Sequence, residues 1–294
     1  MKLETRLHQH RTRLDQHLAR LLPPENAHPE HLHRAMRYAV LGGGKRIRPI
    51  LCIESAVALS GRLTGIEDLA GAIEFIHTYS LIHDDLPALD NDDLRRGQPT
   101  CHKKFGEAIA ILAGDALLSL AFEVLGRMRH PAPGRRTQII AELAAAAGTR
   151  GGMIAGQVAD LEAEGREVSP AQLESIHRSK TGALIRGAVR AGAMFAGARG
   201  SSFARLSAFG EKLGLGFQIV DDILDVRSTC ERLGKPTGQD AARQKATYPA
   251  VHGLGKSQQL ASALVEEACA ALAPWGRRGK TLQEIARYLL ARTA

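Results

Sequence analysis

At 294 residues the chain can bury a large core, and 44% hydrophobic with 24% charged residues is the balance of an ordinary globular protein. Its net charge of +8 favours anionic partners, but the basic residues are dispersed and lack interleaved aromatics, so nucleic acid is not an expected partner. The longest apolar run, 108–122, carries Asp115 and no secretory pattern opens the chain, so a cytoplasmic protein without a membrane span is expected. Cys52, Cys101, Cys230 and Cys269 are widely spaced without a CxxC pair, which suits reduced thiols.

Plentiful alanine and leucine with few β-branched runs predict helices. Leu3, Leu7, Leu14, Leu18 and Leu21 mark the first, stopped by Pro23-Pro24. The histidines along and just after it read as solvated. A second helix over 31–41 runs into Gly42-Gly43-Gly44-Lys45-Arg46-Ile47-Arg48-Pro49. Glycines there let the backbone approach a ligand and three cations suit an anion, although the spacing is not that of a P-loop. A long helix over 66–86, bounded by Pro87, places Glu74, His77, Leu81 and Asp84 in one stripe, with Tyr79 five residues before Asp84.

That helix leads into five carboxylates in ten residues, Asp84, Asp85, Asp90, Asp92 and Asp93, followed by Arg95 and Arg96. Hard oxygen ligands beside guanidinium forks suit a metal-bridged phosphate, with magnesium the expected ion. An EF-hand is excluded because its alternating ligands, central Gly and closing Glu are missing. An acidic surface turn is the competing reading of this stretch taken alone.

Further helices are predicted from Gly106 to Met128 and over 137–147. Gln157 and Asp160 follow next to Gly156, and Ser169-Pro170 marks a helix start. Lys180-Thr181-Gly182 interrupts a helical run, exposing carbonyls as well as a cation. Gln218, Asp221, Asp222 and Asp225 then lie in an apolar helix. Desolvating unpaired carboxylates is costly, so a cation is their natural partner. A loop over 234–240 carries Lys235, and amphipathic helices over 257–273 and 281–291 follow. Without a linker or repeat, one all-α domain over residues 1–294 is expected.

Six segments, Gly43 to Pro49, Ser80 to Gly97, Gly151 to Asp160, Lys180 to Gly182, Gly216 to Asp225 and Gly234 to Asp240, together resemble the trans-isoprenyl diphosphate synthases, most closely the bacterial farnesyl diphosphate synthases. The resemblance implies a large antiparallel helical bundle around a cavity, usually homodimeric, that joins isopentenyl diphosphate to dimethylallyl and geranyl diphosphate. It implies that Asp84, Asp90 and Asp221 coordinate magnesium, three ions per site with manganese able to substitute, and that Asp85, Asp222 and Asp225 support them. Arg95, Lys180 and Lys235 would hold the allylic diphosphate. Lys45, Arg48, His77 and Arg96 would hold isopentenyl diphosphate, with Arg46 close by. The Lys180 carbonyl, Thr181 and Gln218 would face the developing allylic cation, and Tyr79 with Ser80 would set product length near fifteen carbons. A geranyl or geranylgeranyl synthase, a non-catalytic subunit and a terpene cyclase are the alternatives. Both intact aspartate motifs weigh against the second, and the Gly43–Arg48 stretch against the third.

Overall fold

The computed structural model describes residues 2–60, 64–227 and 245–291. Helices form where leucine and alanine recur at helical spacing. They are α1 (Leu3–Leu21), α2 (Glu30–Leu41), α3 (Ile47–Ser60), α4 (Ile66–Asp84), α5 (Cys101–Phe105), α6 (Glu107–Arg127) and α7 (Pro133–Ala147). After them come α8 (Met153–Ala163), α9 (Pro170–His177), α10 (Ala183–Phe195), α11 (Gly200–Arg227), α12 (Tyr248–His252), α13 (Leu254–Ala271) and α14 (Lys280–Leu290). Among the described residues the sole strand pairing is a two-residue antiparallel ladder, β1 (Leu94–Arg95) against β2 (Gln98–Pro99). The fold class is all-α.

The described residues divide into two compact units, one of 2–50 and 64–136 and the other of 51–60, 137–227 and 245–291. In the first, α4 is apolar nearly all round, with Leu69, Ile73, Phe75 and Ile76 fully buried. It packs along α6, whose small residues Ala110, Ala113, Gly114 and Ala121 allow close approach. By length and composition α6 could cross a membrane, and it carries a buried face against α4. Its opposite side exposes Ile111 and Leu112.

In the second unit α11 packs against α10 and α13. Leu215, Ile219, Val220 and Ile223 of α11 join Leu173, Tyr248 and Ala261 in one core. The predicted start at Ser169-Pro170 is present: Ser169 accepts from the Gln172 N–H while the Gln172 side chain accepts from the Ser169 N–H.

The helix predicted to reach residue 86 ends at Asp84. Pro87 disfavours helical geometry in the residue before it, so the chain turns early. Leu86 N–H donates to the His83 carbonyl, and Asp90 N–H reaches back to the Asp84 carbonyl at 2.7 Å.

Candidate active site

The turn after α4 sorts the first acidic cluster into three environments. Asp84 and Asp90 stay partly exposed and are drawn together by the backbone bond between them, while Pro87 and Ala88 bulge outward. Asp85 is buried and takes the Arg95 fork, with Nε 2.8 Å from each carboxylate oxygen. Burial holds the Asp85 carboxyl above its ordinary range despite that guanidinium. Asp92 is buried beside the same arginine, and exposed Asp93 pairs with Lys103 at 2.7 Å.

Of the four residues expected to hold isopentenyl diphosphate, the structure places Arg48, His77 and Arg96 in one neighbourhood. Arg48 Nη1 lies 3.1 Å from His77 Nε2. Burial, and then the fields of Arg48, Arg96, Arg95 and Arg46, hold His77 well below its ordinary pKa, so it is neutral at pH 7. A neutral ring can accept from Arg48 at Nε2 and donate from its other nitrogen. Arg96 donates to the Gly43 carbonyl, tying the β1–β2 hairpin to the glycine loop. Its guanidinium lies 2.9 Å from where a Gly44 side chain would start, and Gly44 has φ +138°, a backbone conformation that favours glycine. Lys45, on the same loop, is exposed. Arg95 and Arg96 also line an open pocket with Tyr38, Leu81, Asp85 and Cys101.

Arg46 departs from expectation. Its side chain is 0% exposed, with Nε 2.9 Å from Asp15 and Nη1 2.7 Å from Glu74, itself 2% exposed. Its Nη2 donates to the Val40 carbonyl at 2.7 Å. Every face of the guanidinium is used inside the protein, so Arg46 is a core strut and not a substrate group.

Tyr79 is buried, and its ring meets that of His83 edge-on at 5.8 Å. The His83 ring in turn lies over Gly114 of α6, where a Cβ would come within 2.2 Å of Nε2. Burial, aided by Asp84, pushes the Tyr79 hydroxyl up to about 12. Ser80 turns its hydroxyl back to the His77 carbonyl at 2.9 Å.

In the second unit the predicted break at Lys180 is a π-helical turn, Arg178–Gly182, between α9 and α10. Two glycines clamp it. A Cβ on Gly156 of α8 would lie 2.1 Å from the Lys180 nitrogen, and one on Gly214 of α11 would lie 2.7 Å from the Gly182 Cα. Lys180 Nζ bonds Asp160 at 2.7 Å, and Lys245 approaches the same carboxylate at 3.6 Å. Thr181 Oγ1 donates to Gln218 Oε1 at 2.6 Å.

Asp221 and Asp225 are partly exposed on α11. Asp222 is 3% exposed and accepts three hydrogen bonds, from Gln218 Nε2, His177 Nε2 and the Tyr248 N–H. These three bonds build Asp222 into the fold, whereas Asp221 and Asp225 are more accessible. Lys235 lies outside the described residues. Sequence reasoning did not single out His177, whose position four residues before Thr181 was a usable signal, and did not assign Asp160 a role.

Half-exposed acids, arginine forks and a lysine-bearing helix break on an all-helical frame define a diphosphate-handling class of enzyme. A profile of the polyprenyl synthetase family matches residues 29–273. The farnesyl diphosphate synthase of Geobacillus stearothermophilus is 51% identical over 237 residues, 79% of each chain. The geranylgeranyl diphosphate synthase of Cyanophora paradoxa is 42% identical over 292 residues, 99% of this chain and 96% of that one. Among solved structures, a geranyltransferase from Helicobacter pylori complexed with magnesium and isoprenyl diphosphate has a TM-score of 0.86 at 35% identity, covering 99% of this chain and 97% of that chain. The chain belongs to the polyprenyl synthetase family and is a prenyltransferase with the isoprenoid synthase fold.

Proposed function

We propose that this enzyme condenses isopentenyl diphosphate with dimethylallyl and then geranyl diphosphate to make farnesyl diphosphate, using magnesium. The carrying observation is the sorting of the acidic residues: Asp84, Asp90, Asp221 and Asp225 remain accessible while their neighbours are built into the fold. Among the described residues no three His, Cys, Asp or Glu side chains converge as a ready metal cage. That donor set fits magnesium, which keeps waters and takes one or two carboxylates plus phosphate oxygens. Asp84, Asp90, Asp221 and Asp225 together with the diphosphate would hold the ions, three per site, which would supply neutralisation of the diphosphate oxygens and so a better leaving group.

The protein's own part is positioning and charge. Lys180 releases Asp160 to bind the allylic diphosphate, while Lys45, Arg48, neutral His77 and Arg96 hold isopentenyl diphosphate. The Lys180 carbonyl, the Thr181 hydroxyl and the Gln218 oxygen present dipoles to the allylic cation without a nucleophile. The double bond of isopentenyl diphosphate attacks, and the departed diphosphate takes the proton that is lost. Tyr79 limits growth near fifteen carbons. Its buried ring supports farnesyl as product, whereas the similarity to a geranylgeranyl synthase favours twenty carbons as the second reading. A cytoplasmic location and a single domain complete the proposal, together with a homodimer, for which the support is the apolar side chains that α6 and α8 leave exposed, among them Ile111, Leu112, Ile154 and Val158.

The test is a product assay with labelled isopentenyl diphosphate, magnesium and either allylic starter. A fifteen-carbon alcohol after dephosphorylation, lost with EDTA, is expected. A twenty-carbon product overturns the length assignment, and no condensation overturns the activity.

A further inference from the structure

Asp222 sits in the second acidic motif yet faces inward. Its Oδ1 accepts from Gln218 Nε2 at 2.9 Å, and its Oδ2 accepts from His177 Nε2 at 2.9 Å and from the Tyr248 N–H at 3.0 Å. His177 is 6% exposed, and its ring packs on that of Tyr248 with centroids 5.4 Å apart. A carboxylate offers about four lone-pair positions. Three are taken, two of them by donors, His177 and the Tyr248 N–H, that are themselves buried and would be orphaned if the carboxylate turned away.

A carboxylate accepts and cannot donate, so it dictates which end of the Gln218 amide turns toward it. The NH2 must face Asp222, which turns Oε1 to Thr181, where the hydroxyl donates at 2.6 Å. His177 is the last residue of α9 and leads directly into the π-helical turn that carries Lys180 and Thr181. Its bond to Asp222 joins that turn to α11, and the Tyr248 N–H adds the start of α12. One acid thus fixes both the direction of the Gln218 dipole and the register of the turn beside it.

We propose that Asp222 and His177 are a positioning pair that holds Gln218 with its oxygen toward Thr181, and that Asp222 is not a metal ligand. The inference rests on the prenyl-transfer reading for the role of Gln218, but not for the geometry. Asp222→Asn keeps the size of the side chain and makes it able to donate, so the Gln218 amide can reverse and present its NH2 where an oxygen stood. A cation-forming step opposed by that reversed dipole slows.

Two measurements separate this from a metal role. The first is manganese binding by electron paramagnetic resonance, with inorganic pyrophosphate as the co-ligand. Asp222→Asn should bind the same number of ions as the wild type, with affinity within about two-fold, while Asp221→Asn loses an ion or at least tenfold in affinity. Loss of an ion in Asp222→Asn overturns the proposal. Unchanged binding in Asp221→Asn instead refutes the metal role proposed above and leaves the positioning pair to the second measurement.

The second is coupling in kcat. Asp222→Asn and His177→Phe should each lower kcat at least tenfold, with the KM for isopentenyl diphosphate within about three-fold. His177→Gln, whose amide nitrogen can take the place of Nε2, should restore most of the rate. Adding Asp222→Asn to Gln218→Leu should cost no further rate, because the group being positioned is gone. Full additivity in that double variant, or a His177→Phe enzyme within two-fold of wild type, overturns the pair. Should His177→Phe fail to fold, the Gln218→Leu comparison reads the same coupling.

Discussion

Replacing Arg46 with methionine tests whether it is a strut or a substrate ligand. The guanidinium meets Glu74 at 2.7 Å with 0% and 2% of the two side chains exposed, and Asp15 at 2.9 Å with 41% of that acid exposed. Removing one partner of a buried pair leaves the other charge uncompensated, which costs about 3–5 kcal/mol. The exposed Asp15 contact adds less than about 1 kcal/mol. At roughly 2–4 °C per kcal/mol for a large domain, Arg46→Met should melt about 6–20 °C lower. Adding Glu74→Met removes the stranded charge and should recover most of that loss, because apolar replacement of a whole buried pair is often neutral. Far-UV circular dichroism is the suitable probe, since the single tryptophan, Trp275, belongs to the other unit. Below the melting range, the KM for isopentenyl diphosphate in the double variant should stay within about three-fold of wild type. The reasoning is refuted if Arg46→Met melts like the wild type while that KM rises tenfold.

Tyr79→Ala should shift the dominant product beyond fifteen carbons in the product assay, and an unchanged profile removes Tyr79 as the length determinant. His77 is held below its ordinary 6.5 by burial and surrounding arginines, so the unfolded chain binds a proton the folded chain refuses. Its contribution is therefore intact above about pH 6.5 and falls by about 1.4 kcal/mol per pH unit below it, down to the folded-state value. Urea titrations between pH 7 and 5 should show a flatter dependence for His77→Asn, and equal slopes contradict the assignment. Gly156→Ala puts a methyl 2.1 Å from the Lys180 backbone nitrogen, so about 1–3 kcal/mol of stability and at least tenfold in kcat should be lost. A variant with unchanged melting and rate shows that α8 can give way there. Asp85→Asn weakens the anchor of the β1–β2 hairpin and should lower the melting temperature while leaving manganese affinity with pyrophosphate within about three-fold.

Most helices were legible in the sequence because their apolar faces recur along the chain, as in the leucines of α1. The break at Lys180-Thr181-Gly182 was legible too, since a glycine after a threonine interrupts an apolar run. Less visible was which member of a charged cluster faces inward. Arg46 and Arg48 are two residues apart, yet Arg46 adopts φ +53° at the head of α3 and is carried into the core while Arg48 reaches His77. Nothing local marks that choice, because Glu74 and Asp15, which decide it, lie 28 and 31 residues away. The role of His177 is marked locally only by its position four residues before Thr181, because its partner Asp222 is 45 residues distant.

The doubled aspartates of the two motifs have a common physical logic. Successive residues in helical geometry point about 100° apart, so adjacent acids can be sent into different environments, one outward and one inward. In each motif the first acid, Asp84 or Asp221, stays partly exposed and the second, Asp85 or Asp222, is buried. A buried carboxylate is tolerated only with donors, and each finds one on a segment that also carries cationic or polar side chains. Asp85 takes the fork of Arg95, whose hairpin also presents Arg96. Asp222 takes His177, which leads into the turn of Lys180 and Thr181. The inward acid thereby ties the cationic or dipolar segment to the helix that offers the outward acid. A single aspartate would remove one of the bonds that place that segment, whereas the doubled residue couples the outward carboxylate to the inward anchor through adjacent positions.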